Sequence, residues 1–353
     1  MAGGIGSRFW PMSRNAKPKQ FIDILGSGQT LIQQTYNRFT DICPEENIFV
    51  VTSDSYVELV SKQLPKLKPN QILAEPQRRN TAPCIAYAAF KIASINPDAN
   101  LIVAPSDHVI TQERVFHDVI LKGLKFTAEQ NRLLTIGIQP SRPDTGYGYI
   151  QFMPEENSQA NPILKVKTFT EKPNLEMAKS FLKSGDFLWN AGIFVWNAKS
   201  ILNAIKEFQP DIYSLFDEGQ QKYNTPEEDA FIQRIYALCT NISIDYGVME
   251  KAKNVYTLST DFGWSDLGTW KSLYEHLPHD AHENAILGDQ VMIENTNNCI
   301  IHISKDKLAL IQGMENFIIV DTENVLLICR KDDEQQVRNM VNEVKIKKGE
   351  KYT

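Results

Sequence analysis

A glycine-rich, basic segment near the start of the chain has the residue types of a phosphate-binding loop. Gly3, Gly4 and Gly6 allow the backbone to turn tightly and to direct bare N–H groups at an anion. Arg8 and Lys19 follow at short range, and both side chains are suited to neutralising phosphate oxygens. These residue types at this spacing predict a site that holds a triphosphate and acts on it.

The loop differs from the two common phosphate-binding motifs. It lacks the Gly-Lys-Ser/Thr ending of a P-loop. The dinucleotide fingerprint needs a third glycine at position 9, where this chain has Phe9. A nicotinamide-dependent oxidoreductase is therefore the weaker alternative, also because no acidic residue stands at the ribose-binding distance after a second strand.

The order of residues in the loop resembles the signature of the sugar-nucleotide pyrophosphorylases. It reads Gly-Gly-x-Gly-x-Arg-x-Trp-Pro-x-Ser-Arg and is followed by Pro-Lys-Gln-Phe. The Trp-Pro and Ser-Arg pairs are similar to those of the mannose-1-phosphate guanylyltransferase branch. The resemblance implies transfer of GMP from GTP to mannose 1-phosphate with Mg²⁺ as cofactor. Another hexose 1-phosphate as substrate, or a non-catalytic sugar-nucleotide-binding protein, remain the alternatives.

Two aspartates are candidate metal ligands. Asp107 follows the predicted strand Leu101–Ala104, where a carboxylate could hold Mg²⁺ together with substrate phosphates. The resemblance implies the same role for Asp107 and makes Asp266 its partner. Each has an alternative, since Asp107 could cap the helix that follows and Asp266 could begin one. With Arg8 and Lys19 they form the predicted catalytic set.

The segment after the predicted strand Gln71–Ala74 offers hydrogen-bonding groups to a nucleobase. Guanine needs acceptors for its N1–H and N2–H₂ groups and a donor for O6, and the segment resembles the guanine-binding segment of the guanylyltransferases. The predicted nucleotide-binding residues are Glu75, Asn80, Thr81 and Ala82, together with Gly3, Gly4 and Gly6 of the loop. The alternative is a helix start capped by Asn80 or Thr81.

Three further segments are predicted to bind the sugar phosphate, because their order along the chain matches that of the resembled family. Gly146 permits close backbone approach beside Tyr147, and the alternative is a hairpin turn. Glu171 could bind paired sugar hydroxyls and Lys172 the sugar's phosphate, unless the two form a surface ion pair. Asn190 precedes a predicted strand and could bind a hydroxyl, with a turn as the alternative.

Strand and helix patterns alternate through the first three-quarters of the chain. Continuous apolar runs predict buried strands at Ile48–Thr52, Leu101–Ala104 and Leu133–Gly137. The patterns between them predict the helices Thr30–Phe39, Ser55–Leu64, Ala82–Ala93 and Val115–Ala128. This alternation predicts an α/β fold with a mostly parallel sheet. Together with it, the family resemblance implies a Rossmann-like nucleotidyltransferase domain over residues 1–276.

The pattern changes to all-β after Glu283. Short β runs at intervals of about eight to ten residues are typical of a small β domain, and they fall at Gln290–Ile293, Cys299–Ile303, Leu308–Ile311, Phe317–Val320 and Val325–Cys329. The family resemblance implies a left-handed β-helix here. We assign residues 283–353 to this C-terminal domain, with a final helix from Asp333 to Val344.

The start of the chain is short for this fold. In the resembled family a buried strand precedes the glycine loop, and here only Met1 and Ala2 do so. We expect a version extended upstream by one apolar strand to be more stable and more active. We also expect displacement of the backbone around Ala2–Ser13, or another segment in place of the strand.

Composition narrows the class of protein. The 353 residues carry a net charge of −6, which argues against a general nucleic-acid binder. Five cysteines without C-x-x-C spacing are typical of reduced thiols in a cytoplasmic protein. No apolar run approaches the roughly twenty residues of a membrane span. We expect a cytoplasmic homodimer with GTP and mannose 1-phosphate as ligands, and neither nucleic acid nor membrane as partner.

Overall fold

The computed structural model describes residues 1–4, 7–154 and 162–353, and only the backbone of Ser7. The helices in these ranges are α1 (Leu31–Thr40), α2 (Val57–Gln63), α3 (Thr81–Ile95), α4 (Glu113–Thr127), α5 (Leu175–Ser184), α6 (Ala198–Phe208), α7 (Pro210–Asp217), α8 (Glu228–Leu238), α9 (Trp270–Tyr274) and α10 (Val337–Lys348). The predicted final helix begins four residues late, because Lys331–Gln336 forms a 3₁₀ turn before it.

The strands in the same ranges are mostly short. They are β1 (Val50–Ser53), β2 (Ile72–Glu75), β3 (Asn100–Val103), β4 (Val109–Ile110), β5 (Leu133–Ile138), β6 (Gly148–Phe152), β7 (Ile163–Glu171), β8 (Phe187–Asn197), β9 (Val255–Thr260), β10 (Trp264–Ser265), β11 (Ala285–Leu287), β12 (Val291–Glu294), β13 (Ile300–His302), β14 (Ala309–Gln312), β15 (Phe317–Asp321) and β16 (Leu326–Arg330).

The chain forms two compact units, and each contains segments that are distant in sequence. The first unit consists of Met1–Gly3, Tyr36–Ser106 and Ile110–Trp264. The second unit consists of Gly4–Thr35, Asp107–Val109 and Ser265–Thr353. The predicted domains of residues 1–276 and 283–353 stay a prediction.

A six-stranded sheet with the order β3-β8-β5-β9-β7-β6 lies in the first unit. Strands β5 and β9 pair in parallel, whereas β8 runs antiparallel to both β3 and β5. Strand β7 runs antiparallel to its neighbours β6 and β9. Strands β1 and β2 form a separate parallel pair. The α/β class is confirmed. The prediction of a mostly parallel sheet is wrong for these six strands, whose described pairings are antiparallel except for β5 with β9, because β7 and β8 reverse direction.

Met1 and Ala2 lie beside β1 and the segment after β3. The Ala2 amide donates to the Val51 carbonyl at 2.7 Å, and the Ser106 amide donates to the Met1 carbonyl at 3.0 Å. Ala2 is 1% exposed. Met1 and Ala2 therefore provide hydrogen-bond partners for backbone groups on either side of the position where a first strand was expected. Displacement of the backbone around Ala2–Ser13 and the effect of an extended chain both stay predictions.

The core of the first unit holds the sheet between helices. Every residue of β5 is buried, as expected for a strand covered on both faces. Phe194 and Trp196 of β8 stack with their ring centroids 5.2 Å apart. Full burial of an aromatic side chain of this kind contributes about 2–3 kcal/mol to stability. The packing therefore stabilises the sheet, and the sheet positions the residues that follow its strands.

Parallel strands stack in two ladders in the second unit. Strands β11, β13 and β15 pair in parallel, with Ile300 opposite Ile318, and β12 pairs with β14. Strand β16 closes the first ladder in the antiparallel direction. The inward isoleucines share one hydrophobic core with Phe9, Trp10 and Trp270. The predicted C-terminal all-β region is confirmed, and its parallel stacking is typical of a β-helix.

The five cysteines are free thiols, and four of them are buried. Among the described residues, no helix has the length and the apolar composition that crossing a membrane requires.

Candidate active site

The glycine loop is divided between the two units. Gly3 belongs to the first unit and Gly4 to the second, and Gly6 lies outside the described residues. The carbonyl of Gly4 accepts a hydrogen bond from Gln20 Nε2 at 2.9 Å. Arg8 is exposed in a 3₁₀ turn and donates to the Gly268 carbonyl at the long distance of 3.4 Å. The arginine is therefore available to bind an anion.

Lys19 lies at the centre of a group of residues in the second unit that we name the lysine cluster: Lys19, Asp107 and Asp266. The lysine is 5% exposed. Its Nζ lies 3.0 Å from Asp107 Oδ2 and donates to the backbone carbonyls of Asp266 at 2.6 Å and Leu267 at 3.2 Å. Three segments that the sequence singled out are thus joined by one ammonium group.

Asp107 is held ionised by its neighbours. Burial by itself raises the pKa of this carboxyl group. The Lys19 ammonium and His108 together lower the pKa by more than burial raises it, so the net pKa lies below its ordinary value. Helix α4 begins at Glu113 with Gln112 as its N-cap residue. The alternative in which Asp107 caps that helix is therefore wrong, and its carboxylate, with 28% of the side chain exposed, remains accessible.

Asp266 lies in a tight loop before α9. Its Oδ1 accepts the Gly268 amide at 2.9 Å, and Leu267 between them has a φ of +45°. Helix α9 begins at Trp270 and is capped by the Thr269 hydroxyl. Asp266 thus does not start that helix, and its own short loop fixes the carboxylate.

The lysine cluster has the donor set that Mg²⁺ uses with a phosphorylated substrate. Mg²⁺ is commonly held by one or two carboxylates, with water and phosphate oxygens completing its shell. Within the described residues, no group of three or more His, Cys, Asp or Glu side chains forms a closed metal cage. Asp107 contacts the Lys19 ammonium through its carboxylate and Asp266 through its backbone carbonyl, so both aspartates lie beside one ammonium group. These residue types fit a metal shared with substrate.

The base-binding candidates line one end of β2 and the start of α3 in the first unit. Glu75 is 8% exposed, and the Tyr236 hydroxyl donates to its Oε1 at 3.2 Å. Burial raises the pKa of Glu75 to about 7. A carboxyl group of this kind can accept hydrogen bonds when it is ionised and donate one when it is protonated.

Asn80, Thr81 and Ala82 form the first turn of α3. Asn80 Oδ1 accepts the Thr81 amide at 2.9 Å, so Asn80 is the N-cap residue that the alternative predicted. The Thr81 hydroxyl accepts the Ile244 amide at 2.8 Å, and Ala82 is 1% exposed. The structure thus gives Asn80 and Thr81 local bonding roles, and their contact with a base stays a prediction.

Asn190 lies at the centre of a second group, the asparagine cluster: Thr135, Glu171, Asn190 and Asp245. Its Oδ1 accepts the Thr135 hydroxyl at 3.0 Å and the Gly192 amide at 3.1 Å, and its Nδ2 donates to Asp245 Oδ1 at 2.8 Å. Since both acceptor positions of Oδ1 are used, the remaining capacity of this amide is one N–H. The asparagine lies within β8 and does not precede a strand.

Glu171 ends β7, and Lys172 follows with a φ of +45°. Lys172 Nζ lies 3.6 Å from Glu171 Oε1, and 64% of the lysine side chain is exposed. This is the surface ion pair that the alternative interpretation of Glu171 and Lys172 predicted. The ammonium group of the lysine nevertheless remains accessible to a ligand. A Cβ on Gly148 would collide with the Glu171 carboxylate, so the glycine permits the approach of β6.

Tyr147 packs against Trp189 and Trp264, with ring centroids 5.0 and 5.2 Å away. The Gly146 amide donates to Asp144 Oδ1 at 2.8 Å, which gives the turn its shape. Ligand contacts of Gly146 and Tyr147 stay a prediction.

Sequence reasoning missed Asp245. It begins a π-helical turn, Asp245–Met249, and burial followed by the charge of Glu171 raises its pKa to about 6. The signal available was an acidic residue in a mostly apolar stretch, two positions before Gly247, which does not by itself indicate a π turn.

Comparisons with known proteins give the same interpretation over the whole chain. The family model described as nucleotidyl transferase matches residues 1–283, and that of the MannoseP isomerase/GMP-like beta-helix domain matches residues 288–344. A mannose-1-phosphate guanylyltransferase of Klebsiella pneumoniae is 36% identical over 361 residues, which cover 100% of this chain and 74% of the relative. The alginate biosynthesis protein AlgA of Pseudomonas syringae pv. tomato is 37% identical, covering 97% of this chain and 70% of the relative.

Solved structures share the fold. A crystal structure described as mannose-1-phosphate geranyltransferase from Thermus thermophilus has a TM-score of 0.86 at 27% identity, covering 98% of each chain. The mannose-6-phosphate isomerase of Helicobacter pylori has a TM-score of 0.59 at 26% identity, covering 70% of this chain and 95% of that chain. These similarities favour the pyrophosphorylase interpretation over the nicotinamide-dependent alternative.

Proposed function

The chain belongs to the nucleotidyl transferase family, in its mannose-1-phosphate guanylyltransferase branch, and we propose that it transfers GMP from GTP to mannose 1-phosphate, releasing pyrophosphate and giving GDP-mannose. The observation that carries this proposal is the lysine cluster, because one buried ammonium contacts the carboxylate of Asp107 and the backbone carbonyl of Asp266, two residues that the sequence had singled out separately.

The reaction needs positioning and charge neutralisation rather than a strong base. The phosphate oxygen of mannose 1-phosphate is already anionic at neutral pH and attacks the α-phosphorus of GTP in line, while the bond to pyrophosphate breaks. Arg8 and Lys19 stabilise the charge that develops on the transferring and leaving groups. Holding both substrates in line supplies much of the remaining rate enhancement.

Asp107 and Asp266 would hold Mg²⁺, which supplies electrostatic stabilisation of phosphate oxygens when bound. Lys19 keeps Asp107 ionised and therefore in the form that binds a cation. Glu75 and the first turn of α3 bind the guanine, with the Glu75 carboxylate as an acceptor for N–H groups of the base.

The asparagine cluster binds the sugar. Asn190 has one N–H to donate to a hydroxyl oxygen, and Glu171 accepts hydrogen bonds from hydroxyl groups. Lys172, at the exposed end of β7, binds the phosphate of the sugar. We also propose a homodimer, which light scattering of the purified chain would test.

The test is pyrophosphate release over a panel of four nucleoside triphosphates and several hexose 1-phosphates. The expected result is the highest kcat/KM with GTP and mannose 1-phosphate. Higher kcat/KM with another sugar 1-phosphate would replace the substrate assignment, and release from none of the pairs would favour a non-catalytic sugar-nucleotide-binding protein.

A further inference from the structure

A cleft in the second unit brings a residue of the C-terminal helix next to the glycine loop. The residues that line this cleft are Arg8, Thr269, Trp270, Glu334, Gln335 and Arg338. We propose that Arg338 is a second arginine of a polyphosphate-binding cleft, which takes the triphosphate of the nucleotide or the pyrophosphate released from it. This inference rests on the proposed function through the phosphate-binding role of Arg8.

The two arginines are available for an anion. Among the described residues, no carboxylate forms an ion pair with the guanidinium of Arg8 or of Arg338. Arg8 donates only to the Gly268 carbonyl, at 3.4 Å. A guanidinium presents several N–H donors in a planar fork that matches two phosphate oxygens. Two such forks on one cleft suit a ligand with several adjacent anionic oxygens.

Glu334, the acidic residue of the cleft, is bonded to the protein backbone. Its Oε2 accepts the Lys271 amide at 3.0 Å. Burial raises the pKa of Glu334, although the bond from Lys271 opposes that shift. The carboxylate is thus directed to the start of α9, where backbone N–H groups need acceptors, and it forms no ion pair with either arginine.

The position of Arg338 is fixed by the residue before it. Val337 is fully buried in the hydrophobic core that also contains Phe9 and Trp270, whose rings meet edge to face at 5.2 Å. The Trp10 indole donates to the Tyr352 carbonyl at 2.6 Å, which adds a polar bond between the glycine loop and the end of the chain. The two arginines are therefore carried by parts of one packed core, which reduces the entropy lost on binding.

The test measures binding of inorganic pyrophosphate to the full chain by titration calorimetry in buffer containing MgCl₂. The variants are Arg338→Ala, Arg338→Lys and the control Arg330→Ala, which removes another exposed arginine, at the end of β16 and outside the cleft. Because a charge-assisted bidentate contact is lost, we expect Arg338→Ala to weaken affinity about tenfold. Arg338→Lys should retain part of the affinity, and Arg330→Ala all of it.

Titration with GTP distinguishes the two sources of the ligand. Weaker binding of both pyrophosphate and GTP would mean that Arg338 contacts the portion they share, and weaker binding of GTP alone would assign it to the bound triphosphate. Equal affinities of Arg338→Ala and Arg330→Ala for both ligands would overturn the inference.

The inference and the proposed function fail separately. Pyrophosphate binding needs neither GTP nor sugar, so a chain that makes no GDP-mannose but loses pyrophosphate affinity in Arg338→Ala keeps the cleft and loses the function. A chain that makes GDP-mannose while Arg338→Ala binds both ligands like the control keeps the function and loses the cleft.

Discussion

In the lysine cluster a buried ammonium lies between a carboxylate and two backbone carbonyls, whereas in the asparagine cluster a neutral amide is bonded to a hydroxyl, an amide and a carboxylate. The difference appears in the acidic groups. The pKa of Asp107 is lowered, while that of Asp245 is raised to about 6.

The contrast agrees with the ligands that we propose for the two clusters, phosphate groups for the first and sugar hydroxyls for the second. A cation that is held in position beside a carboxylate can stabilise the negative charge that develops on phosphate oxygens during the reaction. A neutral amide flanked by carboxylates offers hydrogen bonds to hydroxyl groups, and these need no counter-charge. The two clusters should therefore respond differently to changes of charge, of pH and of substrate.

The largest expected effect belongs to Asp107→Asn. This change removes the carboxylate charge that pairs with Lys19 and would hold the metal, so we expect turnover to fall about a thousandfold. Steady-state pyrophosphate release measures it, with Asp306→Asn on an exposed loop as the control. Turnover within about threefold of wild type, a change below ~1 kcal/mol, would contradict the metal-binding role.

The second prediction concerns Glu75, an acidic residue that is buried without an ion pair among the described residues. Its pKa is raised from 4.5 to about 7, so the folded state binds the proton more tightly than the unfolded state does. Its contribution to stability is therefore present below pH 4.5 and is lost as the pH rises to 7, by about 3 kcal/mol.

Glu75→Gln removes this dependence. In urea denaturation, the free energy of unfolding of this variant should increase relative to that of wild type between pH 5 and pH 8. The control Glu129→Gln, at an exposed position, should have the same free energy of unfolding as wild type at pH 5 and at pH 8. A constant difference between Glu75→Gln and wild type across this range would show that Glu75 does not titrate with a raised pKa.

The third prediction tests whether Asp245 positions Asn190. Asp245→Ala removes the acceptor for Asn190 Nδ2, so we expect about a tenfold higher KM for mannose 1-phosphate with kcat little changed. Asp245→Asn keeps an acceptor oxygen and should restore most of the affinity. If both variants raise the KM for GTP instead, Asp245 does not act through the sugar site.

The smallest effect is expected for Lys172→Ala, because the lysine is mostly exposed and its interactions are weakened by solvent. The KM for mannose 1-phosphate should rise about threefold to fivefold, while GTP affinity by calorimetry stays unchanged. Lower GTP affinity with a constant KM for mannose 1-phosphate would place Lys172 at the nucleotide.

The lysine cluster could be predicted from the sequence because its members follow recognisable patterns. Asp107 comes just after an apolar strand, and Lys19 and Asp266 lie in loop signatures of the resembled family. The ion pair between Lys19 and Asp107 could not be predicted, since it depends on the approach of segments about ninety residues apart.

The asparagine cluster was less accessible to sequence reasoning. Strand β8 continues through Asn190 and Gly192 although polar and glycine residues usually end a strand, and Gly192 has a φ of +65° there. The π turn at Asp245 has no distinctive composition. Both features depend on tertiary packing, which local patterns do not specify.

The most direct test of the account is identification of the product. Purified chain is incubated with GTP, mannose 1-phosphate and MgCl₂, and the mixture is analysed by liquid chromatography and mass spectrometry together with a pyrophosphate assay. We expect GDP-mannose and pyrophosphate in equal amounts. The proposed reaction would be contradicted if GTP were consumed and no GDP-mannose formed. It would also be contradicted if both substrates bound to the chain and neither reacted.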